Sequence, residues 1–125
     1  MKKLLIVLLL FVVVISSLFA QGAAEASAYP EKDITMIIPY GAGGTTDVSG
    51  RKFAALLSKE LGVAVTVVNQ GGASGSIGCQ AALDANPDGY TVLFTAESLG
   101  TQRVMGLTDL SYDNYKIIST MVNDP

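Results

Sequence analysis

An α/β fold is predicted, with a parallel sheet in β-α-β-α-β order, and three observations carry the prediction. Residues 34–40 (ITMIIPY) and 63–69 (VAVTVVN) are short runs rich in β-branched residues, and the segment between them repeats apolar residues at helical spacing. Each of these two runs passes into a glycine-rich loop that leads to a helix. A third run, 90–95, closes the series. Strand-helix-strand crossovers of this kind set the strands parallel and cover the sheet with helices.

The elements follow in order. The first strand, 34–40, is a short apolar run with β-branched residues, as befits a strand buried on both faces, and Pro39 ends its ladder because it has no N–H. The first helix is predicted over 48–61, where Phe53, Leu56, Leu57 and Leu61 make one apolar stripe and Gly62 stops the helix in a left-handed conformation. In the second strand, Val63, Val65 and Val67 share one face, with Ala64, Thr66 and Val68 on the other. Ser76 is expected to cap a short second helix that turns Ile77, Ala81, Ala82 and Ala85 inward. Asn86-Pro87-Asp88-Gly89 is a turn, 90–95 the third strand, 98–105 a short helix, and 116–122 a further strand.

The composition narrows the function. The 125 residues suffice for one domain. The formal charge is -3, and there is no basic run or basic-aromatic patch, so nucleic acid is not an expected partner. The chain has no histidine, which removes the commonest general base and metal ligand. Cys79 is the sole cysteine; it has no disulfide partner or metal-ligand spacing and is expected to be a small buried helix residue. No cofactor, catalytic residue or metal site is indicated.

The N-terminus has the form of an export signal. Lys2 and Lys3 precede an unbroken apolar run over 4–15, followed by small-residue cleavage sites at Ala20, Ala26 and Ala28. Residues 1–20 are taken as a signal peptide, with cleavage as late as 28 allowed, 21–29 as a linker, and 30–125 as the folded part. The apolar run is short for a membrane span, which needs about 20 residues. An uncleaved segment would be the only membrane contact. Cleavage after Ala20 would leave six Lys and Arg against 11 Asp and Glu. The expected location is periplasmic or otherwise extracytoplasmic.

In an open parallel sheet, ligands bind at the carboxyl ends of the strands. The first loop, Gly41, Ala42, Gly43, Gly44, Thr45, Thr46 and Asp47, lets the backbone approach a ligand, adds two hydroxyls and presents a helix amino end. That combination suits a carboxylate or a phosphate. A second reading stays open: Thr45, Thr46 or Asp47 caps the helix and the glycines merely turn the chain. Asp47 would repel an anion unless a water or a ligand amine intervened. The second loop repeats the pattern with Ala73, Ser74, Gly75 and Ser76, and the third junction offers Thr95 and Ser98. The first loop begins like a dinucleotide fingerprint, but Thr46 stands at the third glycine, and no Lys-Ser/Thr ending of a P-loop follows. No G-x-S-x-G is present, and no histidine could activate a serine.

Several of these motifs together resemble the substrate-binding receptors of tripartite tricarboxylate transporters, the Bug-type receptors. The resemblance runs through Tyr29-Pro30, the strand to Pro39, and Gly43-Gly44-Thr45-Thr46-Asp47, with Tyr40 at the family's Phe and Gly41 at its first Ala. It continues through Arg51, Leu61-Gly62, Val68-Asn69, Gly72-Ala73, Gly75, Ile77-Gly78, Pro87-Asp88-Gly89-Tyr90-Thr91 and Leu110-Ser111-Tyr112-Asp113. Gln70-Gly71 departs from the family's Arg-Pro and Ser74 from its Gly. Arg103-Val104 stands near its Asn-Pro.

The resemblance implies part of one lobe of a two-domain periplasmic-binding-protein clamshell, with the second lobe absent from these residues. It also implies capture of a small carboxylate, hinge closure and delivery to membrane permease subunits, with no bond broken. The first loop would hold a ligand carboxylate, and the second loop and Ser98 would complete this lobe's wall. Two other functions fit the residues alone: an exported α/β enzyme acting on a phosphate ester, and a non-binding module whose open sheet edge pairs with another chain.

Overall fold

The computed structural model describes residues 29–96 and 99–121. The chain divides into two units, Met1–Glu31 and Lys32–Pro125, and all the elements below belong to the second. The signal segment and nearly all of the linker lie outside the described residues.

Three parallel strands form the sheet: β1 (Ile34–Ile38), β2 (Val65–Asn69) and β3 (Thr91–Leu93), in the order β2-β1-β3. Ile34 pairs with Val65 and Ile38 with Asn69 on one side of β1, and Thr35 to Ile37 pair with Thr91 to Leu93 on the other. The helices are α1 (Thr45–Leu61), α2 (Ser76–Asp84) and α3 (Leu99–Val104). Short 3-10 turns lie at Ala73–Gly75 and Tyr112–Asn114. The predicted α/β class and element order are those observed.

Period-two alternation sorts the side chains of β1 to two cores. Met36 and Ile38 pack with Ala54 of α1, joined by Phe53, Leu57, Val65, Val67, Val92 and Phe94. On the opposite face Cys79 of α2, Leu99 of α3 and Leu110 make a second core, with Leu93 and Tyr115 against it. Burying a side chain such as Met36 or Ile38 contributes about 1.5–3 kcal/mol. β2 is covered on the α1 face alone, leaving Thr66 and Val68 exposed.

Several expectations are corrected. α1 begins three residues before 48, because Gly44 is its N-cap and makes no side-chain cap bond. Its inner side is built on Gly50, Phe53, Ala54 and Leu57, while Leu56 is 62% exposed. α2 is capped by Gly75, not by Ser76, which is its first residue. Ala81, Ala82 and Ala85 are half-buried as expected, but Ile77 is 56% exposed. Residues 116–121 are not a strand. Ile117 and Ile118 have strand propensity, yet neither edge of the sheet pairs with them, and strand propensity expresses packing on a pleated surface. Gly62 does end α1 with φ 73°, its N–H bonded to Ser58 O.

Cys79 is fully buried, as its composition suggested, and its carbonyl accepts a 2.9 Å bond from the Tyr115 hydroxyl. Burial pushes the thiol pKa up, opposed by a hydrogen bond with Thr95. Thiolate is the reactive form. An aromatic disulfide reagent at pH 8 is therefore expected to leave the folded thiol unlabelled and to label it fully in urea. Equal labelling rates in both conditions would contradict this packing.

Candidate functional site

All three strand-to-helix junctions open at the carboxyl edge of the sheet. In the first, Gly41, Ala42, Gly43, Gly44 and Thr45 are exposed and Thr46 is half-buried. Because α1 starts at Thr45, its first turn consists of Thr45, Thr46 and Asp47. The early amides of a helix lack intrahelical acceptors, and a glycine N-cap offers no side chain to them. This amino end is thus exposed and built without an internal cap.

Asp47 is 3% exposed and already engaged. Its Oδ2 accepts the N–H of Gly43, the residue before the N-cap, at 2.8 Å. Arg51 Nε donates to the same carboxylate, 3.0 Å from Oδ1, and Asn69 Nδ2 donates to Oδ1 at 2.9 Å. Asn69 Nδ2 also reaches Tyr40 O at 3.1 Å, and Arg51 Nη2 donates to Asn69 Oδ1 at 2.8 Å. The Gly43 N–H, then Arg51, then Asn69 hold the Asp47 carboxyl down at a pKa of about 2. Asp47 is therefore the post that ties the first loop, α1 and the end of β2 together. Sequence reasoning named Asp47, but met Arg51 and Asn69 only as points of family resemblance. The i,i+4 spacing of Asp47 and Arg51 was the available signal.

The second loop runs through four consecutive residues with positive φ: Gly72 at 130°, Ala73 at 44°, Ser74 at 55° and Gly75 at 98°. Left-handed backbone is uncommon for residues other than glycine, and two of these four carry a Cβ. Ala73 and Ser74 are exposed, whereas Gly75 and Ser76 are buried. From α3, Gln102 Nε2 donates to Ser74 O at 2.7 Å. The first two loops meet backbone to backbone: a Cβ on Gly71 would stand 3.5 Å from Gly41 N. Tyr40 links the first loop to the third junction through its hydroxyl, 3.3 Å from Thr95 Oγ1. Ser98 lies outside the described residues.

The structure thus brings Gly41 to Thr46 together with Ala73, Ser74 and Gly75 along one edge. Ser76 is set beneath, lining an open depression of about 480 Å³ between α2 and the segment at Leu107 and Thr108. Among the described residues, no cluster of three or more His, Cys, Asp or Glu could hold a metal ion, and no helix is long and apolar enough to cross a membrane.

Comparison with known proteins agrees with this architecture. A UPF0065 protein of Bordetella bronchiseptica is 42% identical over 94 residues, which are 75% of this chain and 28% of the relative. Protein BugT of Bordetella pertussis is 38% identical over 98 residues, 78% of this chain and 29% of the relative. The chain therefore spans less than a third of the length of these relatives. A TctC solute-binding protein from Polaromonas, crystallised without ligand, superposes with TM-score 0.64 at 46% identity over 68% of this chain and 30% of that one. An R. palustris protein solved with adipate superposes with TM-score 0.51 at 35% identity over 52% of this chain and 22% of that one. The family profile described as "Tripartite tricarboxylate transporter family receptor" matches residues 50–125, and the chain belongs to that family, TctC.

Proposed function

We propose that this chain supplies ligand-contacting loops of an extracytoplasmic solute-binding receptor that captures a small organic acid through its carboxylate and hands it to membrane permease subunits. The observation that carries the reading is the uncapped amino end of α1, exposed beside the second loop at the carboxyl edge of a parallel sheet. Gly41, Ala42, Gly43, Gly44, Thr45 and Thr46 are the proposed carboxylate contacts, and Asp47 shapes their loop. Ala73, Ser74, Gly75, Ser76 and Ser98 are the proposed wall. The adipate in the R. palustris relative supports a dicarboxylate as the ligand class. Export by residues 1–20 and the work of binding rather than catalysis belong to the same proposal, as does the assignment of 30–125 to one lobe of a clamshell.

Gly44→Asp tests it. Gly44 has φ -74° and ψ 169°, which any residue adopts, and an added Cβ meets only Gly41 O at 3.6 Å. An aspartate there would cap the helix itself, which changes stability by a few tenths of a kcal/mol relative to glycine. Its charge would also occupy the amides offered to the ligand. Calorimetric titration of the natural full-length protein with adipate, succinate and citrate is expected to show binding that weakens at least about ten-fold in Gly44→Asp, about 1.4 kcal/mol. The melting temperature should not fall. Unchanged affinity in the variant, or binding of inorganic phosphate and no carboxylate, would sink the reading.

A further inference from the structure

The second loop raises a question that its own sequence does not answer. Gly72, Ala73, Ser74 and Gly75 all hold positive φ, and Ala73 and Ser74 do so on the exposed surface with their side chains in solvent. Something outside the loop must select that conformation, since left-handed backbone is disfavoured for residues carrying a Cβ. Within the loop the turn bonds are Gly75 N–H to Gly72 O at 2.8 Å and Ser76 N–H to Ala73 O, and neither engages the Ser74 carbonyl.

Gln102 supplies the outside restraint. It is 1% exposed, among the most deeply buried of the described residues, although it is polar and sits on the six-residue helix α3. Most buried side-chain polar atoms are hydrogen-bonded, and the Gln102 amide is held through its nitrogen. Its Nε2 donates to Ser74 O at 2.7 Å, across 28 residues of sequence. The same Nε2 would lie 3.2 Å from a Cβ on Gly75, beside Pro39 O at 3.1 Å and the Tyr40 ring at 3.2 Å. Gln102 therefore occupies the spot where the second loop, the end of β1 and α3 converge.

We infer that Gln102 is a positioning residue: its amide fixes the left-handed run of the second loop and couples that loop to α3. Only the consequence for ligand affinity rests on the receptor reading; the restraint itself does not.

Amide hydrogen exchange on the natural full-length protein tests the restraint without a ligand. Gln102→Met keeps the length of the side chain and removes the donor. Exchange at residues 72–76 is expected to speed up about ten-fold in Gln102→Met, while the Ile37 and Ile38 amides of β1 keep their wild-type rates. Wild-type exchange in the loop would overturn the inference, as would an equal rise in β1, which marks general loosening. Should Gln102→Met not fold, Gln102→Asn retains the amide one methylene short of Ser74 O and is read the same way. Titration with adipate separates the two ideas. A loosened loop with weakened adipate binding supports both. A loosened loop in a protein whose wild type binds no carboxylate supports the restraint and sinks the receptor reading.

Discussion

Gly78→Ala is expected to destabilise the fold by about 1–3 kcal/mol, or to prevent folding, although it replaces glycine by alanine inside a helix. Helix propensity alone gives the opposite sign, a gain of about 1 kcal/mol. Packing decides against it. α2 crosses the end of β1 so closely that a Cβ on Gly78 would run into Gln70 O and stand 2.7 Å from Pro39 Cα. Both obstacles are backbone, and neither can rotate away. Relief would require α2 to move off β1, which would open the core around Cys79 and Leu99 and carry the second loop with it. Gly50 is the internal control. Its added Cβ would meet mainly Ile38 Cδ1, the free end of a side chain, with Phe94 Cδ1 at 3.1 Å. Gly50→Ala should therefore cost much less. Urea unfolding of both variants compares the two, and a Gly78→Ala midpoint at or above that of Gly50→Ala would refute the close crossing.

The contrast between these glycines shows what the sequence could and could not reveal. The strands were legible because β1 is apolar at every position but Thr35, and the two glycine-rich loops that follow β1 and β2 announced where the carboxyl edge lay. The start of α1 was misread because Gly44 caps it without a side chain, so Thr45, Thr46 and Asp47 looked like caps when they are the first turn. Ile77 was turned the wrong way for a related reason. The left-handed run before α2 sets the phase of that helix, and nothing in the letters Ala73-Ser74 announces left-handed backbone. Gln102 was invisible because a polar residue on a short helix reads as solvent-facing. Its burial depends on Ser74 O, a backbone atom 28 residues away. The isoleucines at 117 and 118 failed as a strand because propensity needs a neighbouring strand to act on.

Asp47→Asn is expected to lower stability most at neutral pH and progressively less in acid. In the folded protein the Asp47 pKa is held down to about 2 from an ordinary 3.8, by the Gly43 N–H first and then by Arg51 and Asn69. A carboxylate with a depressed folded pKa stabilises the native state fully above its unfolded pKa, and the contribution disappears as pH falls through the folded value. The window is therefore about pH 4 down to pH 2. Asparagine can still accept from Gly43 N–H but carries no charge for Arg51 and does not titrate. The wild-type advantage should be constant from pH 7 to about pH 5 and shrink below pH 4. Asp88, whose pKa is also lowered, by the Tyr90 N–H first and by Lys32, loosens in acid in both proteins, so it cancels in the comparison. The effect should extend beyond stability. Asp47 is the shared acceptor for Gly43 N–H, Arg51 and Asn69, so its charge sets the shape of the loop proposed to meet the ligand. Urea midpoints of both proteins at pH 7, 5, 4, 3 and 2 read the stability window. A midpoint difference that stays flat across the whole range would mean that the Asp47 charge is not what holds the loop.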